Sequence, residues 1–76
     1  MKLTAKQVEV MDSYTAGYRN GACSIEDSLE DIPKLHARRM ELEIAYRLGW
    51  DVGHQHVGLI LHNIKDIVGQ ANAPLN

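Results

Sequence analysis

Seventy-six residues suffice for one domain with a small core, not two. Eight Lys and Arg against ten Asp and Glu give a formal charge of −2, which argues against the concentrated positive charge that a generic nucleic-acid binder needs. Cys23 is the only cysteine, so no disulfide forms within the chain, and no run of about 18 apolar residues offers a membrane span. Met1-Lys2-Leu3 leads into a polar amphipathic segment rather than a hydrophobic leader, so the expectation is a soluble, cytoplasmic protein with a lone, unreactive thiol.

Phe is absent, Pro occurs twice, and no stretch sustains β-type alternation, so the chain reads as helix almost throughout. A first helix is expected over residues 5 to 20. Thr4 has the position of its cap, with Gln7 at capping-box spacing and Leu3 and Val8 at staple spacing. Val8, Met11, Thr15 and Tyr18 give it one face, and Asn20-Gly21 reads as a stop. Ser24 would cap a short second helix over residues 25 to 31, which carries Glu26, Asp27, Glu30 and Asp31. These acids are either a solvated face or a docking patch for a basic partner surface, and they are the preferred partner-binding residues.

Pro33 opens the next helix, and nothing forces a stop before Gly69. Ala37, Met40, Ile44, Leu48 and Val52 share one face, against which the first helix is expected to pack. Trp50, Gly53, Val57, Ile60, Leu61, Ile64, Ile67 and Val68 line the opposite face. Gly49 and Gly53 lie where the stripe changes side, so the expectation is a bend there, giving helices 33 to 50 and 52 to 69; one continuous helix is the alternative. Gln70 to Asn76 reads as a frayed tail.

Gly17 and Gly21 are four residues apart, as are Ala45, Gly49 and Gly53. This spacing either brings two helix backbones together or marks helix ends. A faint echo links Tyr14-Thr15-Ala16-Gly17-Tyr18 with Ala45-Tyr46-Arg47-Leu48-Gly49-Trp50.

Candidate chemistry is sparse. His36, His54, His56 and His62 lack the i, i+4 spacing of zinc-binding helices, so no metal and no cofactor is expected, and His62 can instead pair with Asp66. No spacing joins a nucleophile, a base and an acid, there is no phosphate loop, and so short a chain offers little room for a pocket of several hundred Å3. The chain is therefore read as non-enzymatic. Arg19, Arg38, Arg39 and Arg47 are the candidate anion or RNA contacts.

Gly17-Tyr18-Arg19-Asn20-Gly21 and Gly49-Trp50-Asp51-Val52-Gly53 resemble ribosome modulation factor and related short phage and plasmid proteins, which pair a Gly-Tyr-x-x-Gly helix with a later Gly-Trp helix. The likeness spans residues 14 to 53. It implies binding to ribosomal RNA through Arg19, Arg38, Arg39 and Arg47. This chain departs from that family in its slightly acidic charge, in having Asp31-Ile32-Pro33 where the family has a Cys-Pro-Tyr turn, and in the apolar stripe after Val57.

The combined expectation is an all-α protein: a small bundle of three to four helices with a long or kinked C-terminal helix, completed by oligomerisation. Trp50, Val57, Ile60, Leu61, Ile64, Ile67 and Val68 would form the interface of a homodimer or higher oligomer. The leading function is a small regulator or inhibitor that binds a partner protein, of the kind phages and mobile elements encode. The alternatives are a ribosome- or RNA-associated accessory factor and an oligomeric binder of a small anionic ligand.

Overall fold

Thr4 starts the first helix by the expected chemistry. Its hydroxyl accepts from the Gln7 backbone N–H at 3.1 Å, and the Gln7 side chain accepts from the Thr4 N–H at 2.9 Å. The computed structural model describes residues 2–71 and is all-α. Helix α1 spans Ala5–Cys23, the one-turn α2 spans Lys34–Ala37, and α3 spans Met40–Ala71. Of the expected tail, Gln70 and Ala71 belong to α3, and residues 72–76 lie outside the described part.

Glycine decides the architecture. A Cβ placed on Gly17 would overlap the Tyr46 carbonyl, and one on Gly21 the Trp50 carbonyl. Reciprocally, a Cβ on Gly49 would overlap the Tyr14 carbonyl and one on Gly53 that of Tyr18. The order of these contacts shows that α1 and α3 run parallel. They also repeat with an offset of 32 residues: Gly17 with Gly49, Gly21 with Gly53, Tyr14 with Tyr46, Tyr18 with Trp50. The faint echo in the sequence is thus a pair of equivalent helix segments packed about a local two-fold axis along the bundle. Four-residue spacing keeps both small positions of each helix on the shared face.

Several expectations are corrected by this crossing. Gly21 is no stop: α1 runs on to Cys23, and no described glycine has positive φ. Gly49 and Gly53 produce no break either, because α3 continues through them as one helix about 48 Å long. The face of α3 turned to α1 is Leu42, Ala45, Tyr46, Gly49, Trp50 and Gly53, not Met40, Ile44 and Leu48, which are 52–74% exposed. Backbone contact requires the small residues to face inward, and that rotates the larger aliphatics outward.

The expected helix over 25–31 does not form. Ser24 Oγ accepts from the Glu26 N–H in a local turn, and Ile25, the one large apolar side chain at its start, is 98% exposed. A segment this short, with four acids and no packed face, cannot recover the cost of helix nucleation. The third expected helix breaks at Arg38 and Arg39, whose side chains both turn to Glu9 of α1, and Arg39 O accepts the first two N–H bonds of α3 from Leu42 and Glu43.

The core is small. Leu42 and Tyr46 are fully enclosed, with Ala45, Trp50 and Ser13 beside them. Asn20 Nδ2 donates to the Tyr46 hydroxyl, and Ser13 Oγ bonds His36 Nδ1 at 3.1 Å, so the Tyr46 and Ser13 hydroxyls in the core both have partners.

Gly17→Ala forces the two backbones apart and should lower stability by about 2–4 kcal/mol. Gly58 and Gly69 face open space, so Gly58→Ala should raise stability by about 0.5–1 kcal/mol through helix propensity. Urea denaturation followed by circular dichroism measures both. Equal effects at Gly17 and Gly58 would mean that the crossing is not a backbone contact.

Candidate functional site

Beyond the crossing, α3 leaves its companion. Gly53 meets Tyr18 and Ala22, and α1 ends at Cys23, so the α3 residues from Val57 onward extend past it. The expected interface residues divide at this point. Trp50 is 5% exposed and lies in the intramolecular crossing, where α1 already covers it. Val57 is half-buried, and Ile60, Leu61, Ile64, Ile67 and Val68 are exposed together on the projecting helix. Contiguous exposed aliphatics of this kind are unusual for an isolated chain and mark a contact surface.

The four acids Glu26, Asp27, Glu30 and Asp31 are all exposed, on the non-helical link rather than on a helix. The link is pinned at its far end by His36, whose ring stacks on Tyr46 with centroids 4.8 Å apart. Its near end continues α1, where the Ser24 N–H donates to Gly21 O. The acids therefore stand on a segment whose two ends are fixed to the helix pair.

The arginines are largely engaged. Arg38 and Arg39 converge on Glu9, Arg39 Nε lies 3.3 Å from Glu41 Oε1 without hydrogen-bond alignment, and Arg47 pairs with Glu43 at 3.5 Å. Lys6 reaches Glu41 at 3.9 Å. Arg19 is exposed on α1. Acids thus stand beside three of the four candidate RNA contacts and lower their local potential. Partly exposed pairs like these contribute about 0–1 kcal/mol each, so their main effect is on orientation and charge.

Three of the four histidines serve the crossing, a role that spacing alone did not reveal. His54 stacks on Trp50 with centroids 4.8 Å apart, and its Nδ1 donates to Gly21 O at 3.3 Å, which satisfies a carbonyl near the end of α1. His56 packs edge-on to Tyr18 and bonds its hydroxyl at 3.3 Å. His36 stacks on Tyr46. The available signal was the i, i+4 relation of Trp50 and His54, which stacks the two rings on one helix face. His62 lies 3.5 Å from Asp66, as its spacing predicts. Among the described residues, no three His, Cys, Asp or Glu side chains gather as a metal site would require.

One feature went unforeseen. Val10, Met11 and Tyr14 of α1 face Ile44 and Leu48 of α3 across an open apolar groove of about 700 Å3, which Lys6 and Glu41 also line. So short a chain was expected to lack such a volume. The groove exists because the glycine contact turns Ile44 and Leu48 outward and leaves a valley beside the crossing. No described helix is long and apolar enough to cross a membrane. No protein-family model, curated protein or solved structure matches the chain.

Proposed function

We propose that this is a non-catalytic cytoplasmic interaction protein, a regulator or inhibitor that acts by occupying the surface of a partner protein. The observation that carries this reading is the acidic link. Glu26, Asp27, Glu30 and Asp31 project from a segment held at both ends, so they meet a partner without the ordering cost of a free loop. Clustered acids of this kind suit a basic partner surface and raise the rate of encounter with it. The helix pair is the scaffold that fixes their position.

A second reading is ribosome or RNA association. It is favoured by the fact that the two segments resembling ribosome modulation factor, residues 17–21 and 49–53, meet each other at the crossing. The acids beside Arg38, Arg39 and Arg47 weigh against it.

Two measurements test these readings. A photo-reactive residue placed at Ser28 should crosslink in the native host to a discrete partner, and Ser at positions 26, 27, 30 and 31 together should abolish that adduct while the helix content stays unchanged. An adduct that persists in the four-Ser variant would remove the link as the contact. Binding to ribosomal RNA, titrated with salt, should be weak throughout. Tight binding that falls steeply with salt would favour the RNA reading instead.

A further inference from the structure

We infer that the projecting half of α3 is a self-association helix, and that a second copy of this chain lies on it antiparallel, taking over the seam where α1 ends. This goes beyond the acidic-link reading and stands independently of it.

The first support is continuity. At 100° per residue, the face of α3 that receives α1 and the later apolar face have centres within about 30° of each other. The seam that α1 fills therefore continues past Cys23 without an occupant among the described residues. Its positions are Val57, Ile60, Ile64, Ile67 and Ala71, spaced 3, 4, 3, 4, with Leu61 and Val68 alongside. That alternation is the pattern by which one helix receives another.

Charge is the second. Between Val57 and Ala71 the formal charges are Lys65 and Asp66, which cancel, and both lie off the seam with His62, Asn63 and Gln70. Two copies therefore meet without repulsion, whereas a strongly charged partner would find no complement on this face. In an overlap from Ile60 to Ala71, six apolar side chains from each copy bury on the order of 1,000 Å2 together, which reaches the lower end of specific interfaces.

The direction and register follow from α1. A parallel second copy, continued toward its own N-terminus, would run into the α1 that already occupies the seam. An antiparallel copy carries its filled half beyond Ala71, away from the α1 of the first copy. Antiparallel seams stack alternate positions of the two helices on one another. The register with the greater overlap would set Ala71 of one copy against Gly53 of the other, but Gly53 is already covered by Tyr18 and Ala22. The next register leaves Gly53 to α1: Ile64 of each copy packs on Ile67 of the other, and Ile60 on Ala71.

The test uses the full chain with Cys23→Ser, so that introduced thiols are the only ones. Ile60→Cys and Ala71→Cys are oxidised separately and as a mixture, alongside the solution mass of the unmodified chain over a range of concentrations. The expected result is a dimer by mass, with little disulfide from either variant alone and a mixed disulfide when both are present. Rapid Ile60→Cys homodimers would show a parallel pair and overturn the inference. A monomer at every concentration would overturn it as well, and would leave the acidic link untouched as a partner contact. Ile64→Asp completes the set: residue 64 is 49% exposed in the single chain, so the crossing should fold with unchanged near-ultraviolet signal while the mass falls to that of a monomer. A dimer that survives Ile64→Asp would also overturn it.

Discussion

Everything in this structure depends on two helix backbones touching. Gly17, Gly21, Gly49 and Gly53 have no side chain to hold α1 and α3 apart, and the carbonyls of Tyr14, Tyr18, Tyr46 and Trp50 occupy the places where Cβ atoms would be. Four glycines within helices cost about 4 kcal/mol in propensity relative to alanine. The close approach offsets this by packing Tyr46, Trp50 and Leu42 tightly around the contact. A chain without phenylalanine and with so few aromatics gains its core by closeness rather than by bulk.

The parallel orientation has a topological consequence. The chain leaves α1 at one end of the pair and must re-enter α3 at the other, so residues 24–39 run back along the bundle. That return holds only the one-turn α2, and it is fastened by His36 on Tyr46 and by Arg38 and Arg39 on Glu9. The exposed acids stand on the return that the parallel orientation requires. The groove beside Ile44 and Leu48 originates in the glycine contact.

Local signals were legible in the sequence where they were chemical and short-range. The Thr4–Gln7 capping box and the His62–Asp66 pair were read from spacing alone. The helical class and the long apolar stripe followed from periodicity. Spacing could also raise the glycine crossing, but could not choose it over helix ends, because a glycine that ends a helix and one that admits a neighbour look alike in sequence. The choice depends on φ and on a partner far along the chain, as Tyr46 is from Gly17. The same ambiguity turned α3 by half a revolution: hydrophobicity favours burying Met40, Ile44 and Leu48, and backbone contact overrides it with smaller residues. Trp50 was placed in the stripe by its helical spacing, and the structure assigns it to the crossing, where it follows Gly49 in the repeated pair. The role of His36 was hidden because its ring stacking on Tyr46 is a tertiary fact, whereas the spacing of Trp50 and His54 carried the local half of His54's role.

Parallel packing also gives the molecule a polarity. Helix dipoles laid side by side in the same sense add, each contributing about half a unit of positive charge at its start and of negative charge at its end. The starts of α1 and α3 lie at one end of the pair, which is where Glu9, Glu41 and Glu43 collect. The carbonyl end of α1 falls midway along α3, where His54 donates to it. A single chain is therefore an electrically lopsided rod. Two chains joined tail to tail would set these dipoles head against head and cancel them along the axis, leaving an elongated body with like ends and a neutral, apolar middle.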